Sequence, residues 1–287
     1  MFVGQWIPNR CDQPPFTMAN PISRTAYYTL GVRAWDAALP KPVCGDTYAS
    51  LFMNDDAQTI WREFRDESRA NASNSSRHAI IDSQLQDALD LNPASLVLII
   101  GAGFDTRAFR LKGGNWVEVD ESPIIDLKES KLPASSAPNQ LTRLSIDFDN
   151  ESLLQKLSPY ATEENTHVVI EGVLMYINQE RRLSLLKTLQ KTFPRHNIYC
   201  DLMRESFFER YSKKLHEKIV GLGASFTDLK EQPENLFLEN GYSVSSCTSV
   251  PLFAARHANL DVPAFMVQFF LKTLRNGYCI WRFRFPS

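Results

Sequence analysis

Three acidic side chains stand at the ends of successive apolar runs in the middle of the chain. Asp120 closes WVEVD, Asp147 closes LTRLSID and Glu171 closes HVVIE. Ligands of open parallel sheets bind beyond the carboxyl ends of the strands, so these acids are expected to face one crevice. A carboxylate placed there can accept hydrogen bonds from both hydroxyls of a ribose. The alternative is that each acid only caps a following helix, which accounts for one of them more readily than for three.

A glycine turn precedes these acids. Gly101-Ala102-Gly103 follows the apolar run of residues 96–100, where a buried strand meets a polar segment. Because glycine carries no Cβ, the turn predicts that a cofactor approaches backbone N–H groups closely, with an ordinary tight turn as the alternative. Thr106 stands where the dinucleotide fingerprint has its third glycine, and this disfavours a nicotinamide or flavin enzyme.

The elements that position these residues are predicted from apolar runs that alternate with amphipathic segments from residue 96 onward. This pattern is typical of a parallel sheet wrapped by helices, so the fold class is α/β. We predict seven strands, over residues 96–100, 116–120, 141–147, 167–171, 197–202, 243–250 and 279–285. Helices are predicted within residues 23–95 and over 179–193 and 233–239. Residues 204–230 are too long for a plain connection and predict a helical insertion after the fifth strand.

Composition limits the classes of function. The chain has 287 residues, 44% apolar and 22% charged, which fits one α/β core with attached helices, or alternatively two full domains. Its net charge of −2 disfavours a nucleic-acid partner. No apolar run approaches the ~18 residues of a membrane span, and residues 1–16 lack the pattern of a secretory signal.

Cysteine and histidine usage also argues against two kinds of site. The five cysteines are widely spaced without a CxxC pair, and the five histidines show no metal-ligand spacing. We therefore expect neither a disulfide framework nor a metal site. A reducing, cytoplasmic location fits this usage best.

Longer motifs resemble those of a known family. The runs LVLIIGAGFDTRAFRL, WVEVDESPIIDLK and HVVIEGVLMYINQE are similar to motifs of the leucine carboxyl methyltransferase family, which includes phosphatase methyltransferases and polyketide O-methyltransferases. The leading SRTAYYTLGVRAWDAALPKPVCGDTYASLF and SSRHAIIDSQLQDAL resemble its first helices, so the likeness covers residues 23–250. It implies a class I methyltransferase fold, Rossmann-like with seven strands, using S-adenosylmethionine. Residues 1–95 would form an N-terminal helical extension, and 96–287 the core with a lid insertion at 204–230.

The resemblance also implies roles for individual residues. It assigns cofactor contacts to Arg77, Gly101, Gly103, Asp120, Asp147, Phe148 and Glu171. Asp120 would hold the ribose, Asp147 with Phe148 the adenine, and the two glycines would pass beneath the methionine part. Tyr176 would lie near the transferred methyl group, and Arg77 would meet the carboxylate of the cofactor.

Arg77 has an unusual predicted position that supports this role. It falls in the first turn of its predicted helix, where the helix dipole disfavours a cation by about 0.3–1 kcal/mol. It also lies four residues before Ile81, and therefore on the apolar, inward face. A solvated surface arginine is the alternative.

The methyl acceptor is less closely defined by the sequence. No dedicated base is evident at a strand end, which favours a carboxylate or an acidic hydroxyl as acceptor. Within the resembled family, the chain length and the RTAYYTLGVRAWDAAL opening are similar to the small-molecule branch, and this resemblance implies a small metabolite, such as a polyketide, rather than a protein C-terminus. A nicotinamide-dependent oxidoreductase and a catalytically silent cofactor-binding protein are the alternatives from other classes.

The insertion is expected to complete the acceptor pocket. It should cover the crevice between the fourth and fifth strands, with Thr25 and Tyr28 approaching from the other side, because the reaction must be shielded from water. Arg204, directly after the fifth strand, is the residue we expect to anchor an anionic acceptor; a surface role is the alternative.

Overall fold

The computed structural model describes residues 21–162 and 164–286. Its sheet has seven strands: β1 (Leu96–Ile100), β2 (Asn115–Asp120), β3 (Gln140–Ser145), β4 (Thr166–Ile170), β5 (His196–Met203), β6 (Ser243–Ser249) and β7 (Tyr278–Phe285). Each lies within two residues of a predicted strand. Residues 1–20 lie outside the described residues. They include Cys11 and the segment for which we predict no secretory signal.

The strand order explains where a ligand can bind. The order is β3-β2-β1-β4-β5-β7-β6, parallel from β3 to β5 and with β7 antiparallel to its neighbours. This is the expected class I methyltransferase topology. The chain leaves β1 towards β2 on one side and returns to β4 on the other, so the crevice at the carboxyl ends of β1 and β4 is the switch point of the sheet.

Helices surround the sheet. They are α1 (Pro21–Ala37), α2 (Asp55–Phe64), α3 (Ser68–Leu91), α4 (Arg107–Arg110), α5 (Ser122–Lys131), α6 (Leu153–Leu157), α7 (Gln179–Thr192), α8 (Glu205–Phe207), α9 (Lys213–Gly221), α10 (Asn235–Leu238), α11 (Val250–Arg256), α12 (Ala264–Phe269) and α13 (Lys272–Gly277). A π-helical turn, Phe208–Ser212, joins α8 to α9. No helix in the described ranges is long and apolar enough to cross a membrane.

The two faces of the sheet bury separate apolar clusters. Successive side chains of a strand point to opposite faces, so Val97 and Ile99 enter one cluster while Leu98 and Ile100 enter the other. The first cluster also holds buried residues of α1, α2 and α3, and the second holds those of α7. The leading helices are therefore packed directly onto the sheet.

Three sequence predictions need correction. The helix predicted to begin just before Arg77 starts at Ser68. Ser73 and Ser75 lie inside it and donate to the carbonyls of Arg69 and Asn71, so neither serine caps a new helix. The third strand ends at Ser145 rather than at residue 147. Three helices within residues 250–277 were not predicted, since each is at most two turns long and carries no clear periodicity.

Candidate active site at the carboxyl edge of the sheet

A cavity of about 960 Å³ opens at the carboxyl edge of the sheet. One group of lining residues follows the strands and includes Gly101, Gly103, Asp120, Glu121, Phe148, Glu171 and Gly172. A second group comes from the surrounding helices and includes Tyr28, Asn74, Phe207, Tyr211, Leu215 and Leu274. The strand ends supply polar groups and the helices supply mostly apolar walls, as expected for a ligand site.

The glycine turn forms the floor of this cavity. Gly101 has φ of 65°, and a Cβ there would stand 2.5 Å from a methyl carbon of Val173; Gly103 has φ of 49°. The backbone N–H groups of Gly101 and Ala102 donate to the Val119 carbonyl at 3.0 and 3.1 Å. The expectation that the turn presents these N–H groups to a ligand is therefore wrong. The turn instead leaves room for a ligand to lie against it.

Asp120 lies beside the turn with a nearly buried carboxylate. Its Oδ2 accepts from the Gly103 N–H at 2.6 Å, and its Oδ1 accepts from the Glu121 N–H at 2.7 Å. Burial raises the pKa of Asp120 to about 6, although both N–H groups oppose this shift. Each carboxylate oxygen retains a second acceptor position, so the pair can still receive two hydroxyl groups.

Arg77 reaches the same cavity from the middle of α3. Its Nε donates to Glu171 at 2.9 Å, and its Nη1 donates to Asp201 at 3.1 Å and to the Tyr278 hydroxyl at 3.0 Å. A Cβ at Gly172 would stand 3.1 Å from Nη2, so this glycine keeps that side of the guanidinium open. The predicted conflict with the helix dipole is absent, because Arg77 is nine residues from the start of α3.

A buried ionic network lies behind this arginine. Arg107 is fully buried and donates to Glu171 and Asp82, each at 2.6 Å, and also to Asp105. Arg110 continues the network to Asp82 at 2.5 Å. The network holds the Glu171 carboxylate and keeps the pKa of Glu171 well below its usual range, because the arginine charges outweigh the burial penalty. Sequence reasoning missed these roles, although Asp105 and Arg107 belong to the motif GAGFDTRAFRL.

The same network accounts for a cluster that resembles a metal site. His78, Asp105 and Glu171 bring ligand atoms within 4.8 Å of one another. Arg107 donates to both carboxylates and lies 2.8 Å from His78 Nδ1. A guanidinium charge thus occupies the place where a cation would be held.

Tyr176 stands at the meeting point of the strand ends and the helical cover. Its ring makes an edge contact with Phe226 at 5.2 Å between centroids. Burial raises the pKa of Tyr176 to about 12, and a hydrogen bond with the Thr25 side chain partly opposes this. The phenol therefore stays protonated at neutral pH and can donate a hydrogen bond.

With this geometry in place, comparison with known proteins identifies the family. The sequence model of leucine carboxyl methyltransferase matches residues 26–190, more than half of the chain. The chain belongs to the leucine carboxyl methyltransferase family. The matched range contains most of α1, all of α2 to α4, the glycine turn, Asp120 at the end of β2 and Glu171 after β4.

Relatives in this family are distant. A candidate S-adenosyl-L-methionine-dependent methyltransferase of Mycobacterium marinum is 25% identical over 186 residues, 58% of this chain and 61% of the relative. The tetracenomycin polyketide synthesis O-methyltransferase TcmP of Streptomyces glaucescens is 24% identical over 216 residues, 71% of this chain and 74% of TcmP. The match to the Mycobacterium marinum relative thus spans less than two thirds of that protein.

Solved structures share the fold at low identity. A candidate methyltransferase of Thermobifida fusca superposes with a TM-score of 0.58 and 11% identity, covering 94% of this chain and 97% of that one. A DUF574 family protein of Streptomyces avermitilis superposes with a TM-score of 0.55 and 10% identity, covering 92% of this chain and 99% of that one. These likenesses establish the class I methyltransferase fold.

Two predicted site residues do not line the cavity: Asp147, which the family resemblance suggested, and Arg204, which its position after β5 suggested. Asp147 is exposed, and its carboxylate accepts from the Asn150 side-chain amide at 2.8 Å and from the Asp149 and Asn150 backbone N–H groups at 2.9 and 3.2 Å. These hydrogen bonds, that of the Asn150 side chain above all, lower the pKa of Asp147. Arg204 donates to the Asn276 and Glu231 carbonyls and pairs with Glu234 at 2.8 Å. Asp147 thus caps a turn, and Arg204 ties the start of the insertion to neighbouring segments.

Proposed function

We propose that this protein is an S-adenosylmethionine-dependent O-methyltransferase that acts on a carboxylate or an acidic hydroxyl of a small metabolite. The observation that carries the proposal is the cavity in which the glycine turn and Asp120 meet an apolar helical wall. Membership of the leucine carboxyl methyltransferase family and the likeness to TcmP support it.

The strand-end residues fit the cofactor. Asp120 would receive the two ribose hydroxyls on its remaining acceptor positions, and Phe148, which is 37% exposed at the cavity, would pack on the adenine. Arg77 would bind the cofactor carboxylate through Nη2, while Glu171 would hold Arg77 in place and accept from the ammonium group. The bound cofactor supplies an electrophilic methyl group on a sulfonium.

The protein's own task is to bring an acceptor oxygen to that methyl group. An oxygen held about 3–3.5 Å from the carbon and in line with the leaving sulfur needs little further assistance. A carboxylate is already ionised at neutral pH, so no base is required for it. Tyr176, protonated because its pKa is about 12, would donate a hydrogen bond that orients the acceptor.

The cavity walls favour a small acceptor. The insertion contributes Phe207, Tyr211 and Phe226, and Tyr28 approaches from α1. Water exclusion by such walls strengthens the interactions that orient the reacting groups. We extend the proposal to a reducing, cytoplasmic setting, because the described cysteines are free: Cys44, Cys200, Cys247 and Cys279.

Calorimetry tests the choice of cofactor. We expect S-adenosylmethionine and S-adenosylhomocysteine to bind with micromolar or tighter affinity, and NAD and NADP to bind far more weakly. The physical reason is that the Gly101 and Ala102 N–H groups, which a pyrophosphate would need, are already bonded to Val119. Preferential binding of NAD or NADP would reject the methyltransferase proposal and favour an oxidoreductase.

A further inference from the structure

The charges on the cavity wall are unevenly compensated. The arginines that line it are Arg33, Arg69, Arg77, Arg181 and Arg210. Four of them pair with carboxylates: Arg33 with Asp46, Arg69 with Asp261, Arg77 with Glu171 and Arg181 with Asp149. Within residues 21–162 and 164–286, Arg210 forms neither an ion pair nor a side-chain hydrogen bond. Arg210 is an exposed residue of the cavity lining, and its charge is open both to solvent and to a ligand.

The backbone is irregular where Arg210 borders the cavity. Arg210 lies in the π-helical turn Phe208–Ser212, and Arg210, Tyr211 and Ser212 all line the cavity. π-helical turns are rare and occur often at functional sites.

The surroundings of Arg210 combine its charge with an aromatic surface. Its guanidinium lies 5.6 Å from the centre of the Tyr211 ring, a cation–π arrangement. The adjacent acid, Glu209, is engaged by Lys213 at 2.5 Å. Phe207 and Leu215 of the same segment also face the cavity. A ligand here would meet a planar apolar wall beside one free positive charge.

We propose that Arg210 determines acceptor specificity by binding an anionic group on a planar aromatic acceptor. This inference rests on the proposed function and replaces the expected role of Arg204. The guanidinium can give a carboxylate two parallel hydrogen bonds, and the Tyr211 ring packs against the body of the acceptor. Because Arg210 is exposed, such bonds correspond to about a two- to fivefold gain in affinity over a neutral acceptor of the same shape.

The test compares 2-naphthoate with its neutral analogue 2-naphthamide by calorimetry on protein saturated with S-adenosylhomocysteine. The wild-type protein should bind the naphthoate about two- to fivefold more tightly than the amide. Arg210→Gln should abolish this preference, and Arg210→Lys should restore part of it. Lys214→Gln is the matched control, because Lys214 belongs to the same segment, is 81% exposed and lies outside the cavity lining.

Two results would overturn the inference: no preference for the naphthoate in the wild-type protein, or a preference that survives in Arg210→Gln. Binding of S-adenosylhomocysteine is measured first in every variant. Its absence from the wild-type protein would reject the proposed function itself. Normal cofactor binding together with an unchanged naphthoate preference in Arg210→Gln would reject the role of Arg210 alone.

Discussion

Asp120 shows how a single residue can make cofactor binding depend on pH. The carboxylate is buried between the Gly103 and Glu121 N–H groups, and its pKa is raised to about 6. Below that pH the group is protonated, and one oxygen becomes a donor instead of an acceptor for the ribose hydroxyls. Ionisation, and with it cofactor affinity, should therefore increase as the pH rises.

We expect the affinity for S-adenosylhomocysteine to rise about tenfold between pH 5 and pH 7 and to level off above, as measured by calorimetry across that range. Asp120→Asn should bind the cofactor about ten- to hundredfold more weakly at pH 7, because it lacks the charged acceptor. The variant should also lose the pH dependence. A variant profile parallel to that of the wild-type protein would mean that another group titrates.

At the scale of secondary-structure elements, the strands were easier to predict than the helices. A central parallel strand is buried on both faces and is apolar throughout, as in residues 96–100. A continuous run of apolar residues therefore indicates where such a strand lies. The start of α3 was misplaced because serine and asparagine favour both helix caps and back-bonding to the preceding turn. Contacts from other elements decide between these outcomes, and a local sequence pattern does not contain them.

The same distinction applies to the cavity. Gly101, Asp120 and Glu171 could be predicted to face one crevice because a parallel sheet places all its strand ends on one edge. The position of Arg204 directly after β5 likewise predicted that its side chain faces this crevice. The side chain instead turns to Glu234, thirty residues away in sequence, and position along a strand does not determine that choice. Arg210 could not be singled out, because it lies in a π-helical turn that the sequence did not predict.

The ionic network joins three elements, and its loss should be costly. Arg107 follows β1 and is fully buried against Asp82 of α3 and Glu171 after β4. Arg107→Ala would remove the ion pair of Asp105 and leave Asp82 and Glu171 with one arginine each, Arg110 and Arg77. Removing one partner from a buried ionic group destabilises a protein by about 3–5 kcal/mol. Urea denaturation should show this loss in the free energy of unfolding.

Arg69→Ala is the control for that measurement. Arg69 also pairs with a carboxylate, that of Asp261, but both side chains are more than 60% exposed. An exposed pair contributes about 0–1 kcal/mol, so this variant should unfold close to the wild-type midpoint. Equal losses in the two variants would contradict the view that burial makes the Arg107 contacts important.

On the scale of the whole molecule, the leading helices and the sheet share one apolar cluster. Tyr28 of α1, Ile81 and Leu85 of α3, and Val97 and Ile99 of β1 all lie within it. The Arg77 and Arg107 contacts add ion pairs across the same boundary. Separating the helices from the sheet would expose apolar surface and buried charges together, so neither part should open much before the other.

We therefore expect the helices and the sheet to unfold in one cooperative transition, in keeping with the prediction of one α/β core with attached helices. Hydrogen exchange followed by mass spectrometry at increasing urea concentrations should give peptides from α3 and from β1 the same free energy of opening. Arg107→Ala should lower both values equally, since its contacts cross the boundary between the two parts. If α3 exchanged at clearly lower urea than β1, the helices would be an independent unit, and the cavity wall that they form could open while the sheet stays folded.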